Sequence, residues 1–307
     1  MYHFIINPKS RTGNGLKVWH IVQAGLDEKK VHYTFHFTHY EYHASKLASQ
    51  ICNTYEGIKN IIVLGGDGTM NEVINGIDNY NEVILGYIPS GSSNDLARGL
   101  KISNDPLIAL DRILTGKHFE YVDHGIIQTP SQTKLRKFAV SMGIGFDASV
   151  CFEALNSNIK VILNKLRLGK LTYPVIAIKN LVKHTPSDIH IIVDGIENYH
   201  FKKVFFIASM IQKCEGGGLI MTPNASYQDQ KLSVCVIYDI PKIKALVLLP
   251  SLFIGKQHLF KGVKIFDAKT IEIKADKKMY VHTDGEYYGI HDHIVATCTK
   301  DQIRMFL

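Results

Sequence analysis

The residues Ile61-Ile62-Val63-Leu64-Gly65-Gly66-Asp67-Gly68-Thr69-Met70-Asn71-Glu72 spell an apolar strand, a glycine-rich turn and the beginning of a helix. Glycines let backbone N–H groups come close to an anion without interference from a Cβ, and the helix that follows adds its positive N-terminal end. Phosphates are therefore expected at this turn. Asp67 stands between glycines at the carboxyl end of a buried strand, where a carboxylate can meet a magnesium ion carried by nucleotide phosphates. Thr69 and Glu72 have the T-x-x-E spacing of a capping box, and helix initiation alone would account for those two.

On either side of this turn, up to about residue 118, β-branched runs alternate with helical patterns, which predicts a parallel sheet with crossover helices. The strands are expected at Tyr2–Ile6, Tyr33–Phe37, Asn60–Leu64 and Ile84–Ile88. The helices are expected near Gly15–Leu26, Glu41–Tyr55, Met70–Ile77, Asn94–Leu100 and Pro106–Leu114. Two further turns fall at the same sheet edge. Pro89-Ser90-Gly91-Ser92-Ser93-Asn94-Asp95 follows the fourth strand, with Ser92 read as a helix cap and Asp95 at the third helical position. Asn7-Pro8-Lys9-Ser10-Arg11-Thr12-Gly13 follows the first and brings hydroxyls and basic charge. Three loops at the carboxyl ends of parallel strands make a nucleotide pocket the natural expectation.

Beyond Phe119 the texture turns to strands: Phe138–Met142, Ile189–Val193, Val204–Ala208, Leu232–Ile237, Thr270–Ile273 and Met279–His282. The fold class is thus α/β plus all-β, a nucleotide-binding domain over 1–125 followed by a β-sandwich over 126–293. A chain of 307 residues suits two domains. No basic leader precedes the first strand, and Ala245–Ile254 is about half the ~20 apolar residues of a membrane span and contains Pro250. Five scattered cysteines suggest neither a disulfide framework nor a zinc site and fit a reducing, cytoplasmic home. The net charge of +7 is compatible with a phosphate-bearing or anionic partner, but no nucleic-acid module is recognisable. G-x-x-x-x-G-K-[ST] is absent. Gly143-Ile144-Gly145-Phe146-Asp147-Ala148 imitates a dinucleotide fingerprint far from the first βα turn, which argues against a Rossmann oxidoreductase.

The ordered set NPKS-RTGNG, GGDGTMNE, PSGSSNDLARGL, GIGFDA, GGGLIMTPNA and the late Asp284-Gly285-Glu286 resembles the diacylglycerol kinase catalytic-domain family, which includes bacterial diacylglycerol kinases and is related to sphingosine kinases. The resemblance implies an NAD-kinase-like first domain, a β-sandwich second domain, ATP in the cleft between them, and 294–307 packing back on the first domain. It implies ATP contacts at Asn7, at Lys9, Ser10, Arg11, Thr12 and Gly13, at Thr38, at Gly65, Gly66, Asp67, Gly68, Thr69, Met70 and Asn71, and at Ser92. It also implies a proton acceptor at Glu286 with Asp284 nearby. Two apart in a strand, the pair would share one side, so either carboxylate could be the base. The family's structural magnesium loop resembles Ser226 to Lys231, with Asp229 as ligand and Ser226 and Lys231 giving carbonyls, although Gln230 and Ser233 depart from the pattern. Arg11 stands where the family usually has glycine, and Ser92 where threonine is commoner.

The expected activity is phosphoryl transfer from ATP, with Mg²⁺, to a hydroxyl of diacylglycerol or a related lipid, by a cytoplasmic protein peripheral to the inner face of the membrane. Ala154 to Ser187 supports membrane contact. It carries Lys160, Lys165, Arg167, Lys170, Lys179 and Lys183 without an acid, and Ile159, Ile162, Leu163 and Leu166 at helical spacing. A helix with solvated lysines reads equally well there. An NAD-kinase-like enzyme of a soluble substrate and a nucleotide-binding regulator without catalysis remain as alternatives, and a homodimer is left open.

Overall fold

A computed structural model describes residues 1–116, 118–130, 135–156 and 172–307. The first sheet has six strands in the order β2-β1-β3-β4-β17-β5: β1 (Tyr2–Ile6), β2 (Tyr33–Phe37), β3 (Lys59–Gly65), β4 (Val83–Pro89), β5 (Phe119–Val122) and β17 (Ile303–Phe306). Strands β1 to β4 pair in parallel. In β1, β3 and β4 the residues alternate between two buried faces, which is why these strands read as largely apolar runs, whereas the edge strand β2 is half-buried. On β1, Ile5 packs with the helices α2 (His43–Thr54) and α3 (Asp67–Asn75), while Phe4 and Ile6 pack with α1 (Ser10–Glu28) and α5 (Pro106–Thr115). The C-terminal strand β17 is inserted parallel to β4 and antiparallel to β5. Only Ile303–Phe306 makes this return, since Ile294–Cys298 remain paired in the second sheet.

Nine antiparallel strands form the second sheet, among them β9 (Ser187–Val193) and β10 (Glu197–Met210), while β11 (Cys214–Glu215) and β12 (Leu219–Ile220) pair with each other apart from it. Both of its ends, β13 (Leu232–Tyr238) with β14 (Val263–Ala268), and β6 (Gly125–Gln128) with β7 (Arg136–Phe138), contribute to one core around Ile144, Ile191, Val204 and Ile294. The sheet therefore folds over on itself in a sandwich-like way. Thr270–Ile273 and Met279–His282, read as two strands, form one strand β15 (Thr270–Thr283), whose register with β16 (Glu286–Cys298) shifts between Lys274 and Met279. Phe138–Met142, read as one strand, divides into β7 and β8 (Ser141–Gly145). Outside this sandwich lie α6 (Phe146–Asn156), α7 (Thr172–Lys183) and α8 (Lys242–Ser251).

Helix starts differ from the sequence reading. Helix α3 begins at Asp67, which leaves Thr69 inside its first turn, and no side chain caps it. The Glu72 carboxylate accepts instead from the Ala44 amide at 3.0 Å, tying α3 to the start of α2. The short helix α4 (Asp95–Gly99) starts after Asn94, not Ser92, and its first amides are taken by Asp67. In both cases a long-range partner replaces the local cap that the spacing suggested.

Candidate active site

The three glycine-bearing loops meet. Asn7 donates to Thr69 Oγ1 at 3.0 Å, and its own carboxamide oxygen accepts from the Lys9 amide at 3.1 Å. Ser10 and Ser90 share a buried hydroxyl contact of 2.7 Å. Gly66 and Gly91 pass so close that a Cβ on Gly91 would lie 2.6 Å from the Gly66 Cα, so only glycine lets the first two turns touch. Arg11, Thr12 and Gly13 are left-handed in succession, a turn that delays the regular helix α1. Arg11 thus holds a conformation that favours glycine (φ +44°). A cleft of about 290 Å³ is lined by Arg11, Asn14, Ser90, Ser92, Asn94 and Arg98 among others. Thr38 is buried where its amide extends the ladder to Ile6. Met70 lies in the core, so only its backbone can face a ligand.

Asp67 accepts from the amides of Asp95 at 3.0 Å and Leu96 at 3.2 Å, locking the first glycine turn to the start of α4. Burial, then the charges of Asp95 and Asp284, push its carboxyl up to about 6 against the pull of those amides. Asp95 is itself buried and accepts from the Gly217 amide at 2.9 and 3.1 Å, so the Gly216–Gly218 run of the second domain is clamped to the first.

The late carboxylates occupy unlike positions, and strand alternation does not relate them. Asp284 and Gly285 are the two central residues of the β15–β16 hairpin, with φ of +50° and +81° and the Thr283–Glu286 pair flanking them. That is the geometry of a type I′ turn, for which Asp-Gly is a preferred dipeptide. The Asp284 carboxylate accepts from Asn71 at 2.8 Å and from the amides of Ala139, Val140 and Ser141 at 3.0, 2.8 and 3.0 Å. It therefore joins α3 to the β7–β8 turn. Glu286 has no hydrogen-bond donor among the described residues, and its Oε1 sits 2.5 Å from where a Cβ on Gly68 would be. A carboxylate with free lone pairs lies against the first turn of α3. Burial pushes its pKa above the ordinary value, Arg136 opposes this, and Glu72, Glu41 and Asp284 add to the rise.

Behind the hairpin lies a buried network that sequence reasoning missed. The ligand atoms of Asp147, Glu215 and His282 fall within 4.8 Å of one another. His282 Nδ1 accepts from the Gly285 amide at 3.2 Å, and its Nε2 faces Asp147 at 3.3 Å. Burial lowers the His282 pKa, but the hydrogen bond and charge of Asp147 outweigh it. Gly143 makes room, since its Cβ would fall 2.1 Å from Asp147 and 2.3 Å from His282. The His282 signal, two residues before a D-G turn, carries meaning only once the hairpin is recognised.

The loop Ser226 to Lys231 is anchored to Asp123, which accepts from the Gln230 amide at 2.7 Å. Asp229 accepts from the Lys231 amide at 3.1 Å, and burial followed by Asp267 and Asp123 raises its pKa. Of the basic run, Lys160, Lys165, Arg167 and Lys170, with Ile159, Ile162, Leu163 and Leu166, lie outside the described residues. Lys179 pairs with Glu153 on α6.

Against known proteins, the diacylglycerol kinase catalytic domain matches residues 1–125, and the YegS C-terminal NAD kinase beta sandwich-like domain matches residues 141–304. A Bacillus subtilis (strain 168) protein named "Putative lipid kinase YtlR" is 32% identical over 293 residues, 94% of each chain. A Bacillus anthracis str. Sterne crystal structure described as a "putative diacylglycerol kinase" aligns with a TM-score of 0.75 at 20% identity, over 99% of this chain and 96% of that one. An NAD kinase from Archaeoglobus fulgidus in complex with ATP aligns with a TM-score of 0.54 at 11% identity, over 100% and 94%. At these identities the two structures bear on the fold alone.

Proposed function

The chain belongs to the diacylglycerol kinase family, and from that premise we propose that it transfers the γ-phosphate of ATP to a lipid hydroxyl, diacylglycerol or a related lipid being the acceptor. The observation that carries this reading is the placement of the Glu286 carboxylate, without a donor among the described residues, over Gly68 at the uncapped start of α3. The first amides of a helix lack intrahelical partners and suit a phosphate, while the neighbouring free carboxylate suits an alcohol proton. The touching glycine turns and the polar, arginine-bearing cleft beside them fit a triphosphate nucleotide.

Asp67, crowded by Asp95 and Asp284, fits a cation as well, since each of its oxygens keeps a lone pair beyond its amide bond. Mg²⁺ held by Asp67 would neutralise charge on the transferring phosphoryl group. Asp229, with the carbonyls of Ser226 and Lys231, is assigned a second, structural Mg²⁺; the nearby charges of Asp123 and Asp267 favour a cation there. In the transfer, the amides of α3 and of the Gly91 turn orient the nucleotide, Asp284 and His282 hold the hairpin, and Glu286 Oε1 accepts the proton of the attacking hydroxyl. No helix among the described residues is long and apolar enough to cross a membrane. We assign the protein to the cytoplasm, peripheral to the inner face of the membrane where its lipid resides.

ATP consumption by the purified protein against a panel of lipids in mixed micelles tests the reading, with NAD as the soluble-substrate arm. Turnover with NAD and none with lipids would move the assignment to a soluble acceptor, and turnover with neither would favour a regulator without catalysis.

Two expectations arise here. Gly91→Val puts a side chain where only 2.6 Å separates the new Cβ from Gly66. ATP affinity should fall by about tenfold or more, because the two turns must part. Unchanged affinity in a folded variant, measured by titration calorimetry, would take the paired turns out of the pocket. The second concerns pH. Glu286 acts as its anion, and burial raises its pKa, so kcat/KM should decline as pH falls, with its acid limb above the usual glutamate value of about 4.3. A limb at or below that value would contradict the assignment.

A further inference from the structure

We propose that α8 and the segment after it, together with the outer stripe of α7, form the surface on which the protein docks to an anionic lipid bilayer. The proposal rests on the lipid-kinase reading only for its purpose; the surface itself stands on burial and charge.

Helix α8 is apolar on both sides. It buries Ala245 and Leu248, and Leu252 just beyond it, against the core it shares with Ile176 and Leu181 of α7, yet it leaves Ile243, Leu246 and Val247 exposed. Phe253 and Ile254 then protrude from a 3-10 turn, and Leu259 follows. On α7, Val175, Ile178 and Val182 form an exposed stripe at i, i+3 and i+7. Val182, Ile243 and Leu259 are 73%, 71% and 71% exposed, more than any other large hydrophobic among the described residues except Ile196. The two stretches meet where Lys242 Nζ donates to the Val182 carbonyl at 2.6 Å. The protruding turn is held firmly, since the buried Gln257 donates to the carbonyls of Ile220 and Met221 at 2.8 and 2.7 Å. These apolar side chains are fixed outward, which a soluble surface has no need of.

Charge decides the occupant. Neither Thr172–Lys183 nor Lys242–Lys261 contains an Asp or Glu, while Lys179, Lys183, Lys242, Lys244, Lys256 and Lys261 accompany the apolar residues. Lys179 is turned to Glu153 and Lys242 to the Val182 carbonyl, while Lys183, Lys244, Lys256 and Lys261 face headgroups in this reading. Lys242 and Lys244 lie in the first turn of α8, the end at which a helix dipole disfavours cations, so helix stability does not explain them. An apolar face with a basic rim is complementary to anionic headgroups over an acyl layer. A second copy of the same chain would set lysines against lysines. Helix α6 links the face to the candidate active site: it packs on α7, carries Asp147 at the His282 network, and sets its Phe152 ring against Tyr287, next to Glu286, with centroids 4.7 Å apart.

The test is sedimentation with vesicles of phosphatidylcholine, with and without phosphatidylglycerol, at low and high salt. Wild type should bind the phosphatidylglycerol vesicles and release with salt. Lys244→Glu with Lys256→Glu should weaken binding by about fivefold per residue or more. Val247→Ser with Phe253→Ser and Ile254→Ser should weaken it by at least about tenfold at either salt, with the unfolding midpoint unchanged because all three side chains are exposed. Turnover of that triple variant on a monomeric short-chain diacylglycerol should match wild type. Vesicle binding equal to wild type in both variants would overturn the proposal, as would a shift from dimer to monomer in sedimentation velocity with vesicle binding intact. Loss of vesicle binding by a protein that phosphorylates no lipid would keep the docking surface and discard the kinase reading; turnover on short-chain lipid with binding unaltered would do the reverse.

Discussion

Glu286→Gln should lower turnover by roughly 10²-fold or more while ATP affinity stays within about twofold. The substitution keeps the size of the side chain and one acceptor oxygen but removes the basic lone pairs that face the first turn of α3. Nothing in the fold depends on those oxygens, since no described residue donates to them, so the unfolding midpoint should hold. Steady-state turnover on lipid, nucleotide affinity by calorimetry and a thermal scan together check this. Near wild-type turnover in Glu286→Gln, with Asp284→Asn inactive yet equally stable, would move the proton acceptor to Asp284.

Asp284→Asn should behave differently, as a loss of structure before a loss of chemistry. Each Asp284 oxygen accepts two hydrogen bonds, and an amide group in place of one oxygen would point donors at donors among Asn71, Ala139, Val140 and Ser141. With charge-assisted bonds worth about 1.5–3 kcal/mol each, and partly buried donors stranded, a destabilisation of about 3 kcal/mol is expected. The thermal midpoint should drop by several degrees, and the drop should accompany any loss of activity. An Asp284→Asn variant as stable as wild type would show that the clamp between α3 and the β7–β8 turn is dispensable.

The contrast between these carboxylates marks where sequence reading reaches its limit. Apolar or aromatic runs and glycine punctuation are local signals, and they located β1 through β4, the crossover helices and the glycine turn; β1, β3 and β4 are legible because a strand buried on both faces must be largely apolar. The motif order also identified the family. Partners distant in sequence were not legible. Thr69 and Glu72 have capping-box spacing, yet each bonds a residue from another element, Asn7 and Ala44. Asp67 was read as a phosphate-side carboxylate, and its grip on the start of α4 appears only when β3 and β4 lie side by side. The expectation that Asp284 and Glu286 share a strand face came from alternation along a continuous strand, and it passed over the hairpin signal that an Asp-Gly dipeptide carries.

The sequence by itself thus determined the two-domain class, the edge at which three loops gather and the family, all through residue types that act within a few positions of themselves. Only the tertiary structure decided which carboxylate is free and which is a clamp. It alone brought Asp147, Glu215 and His282 together behind the hairpin, and joined two acid-free helices into one face. Hydrogen-bond saturation and exposure belong to neighbours brought together by folding, and a residue's type does not carry them.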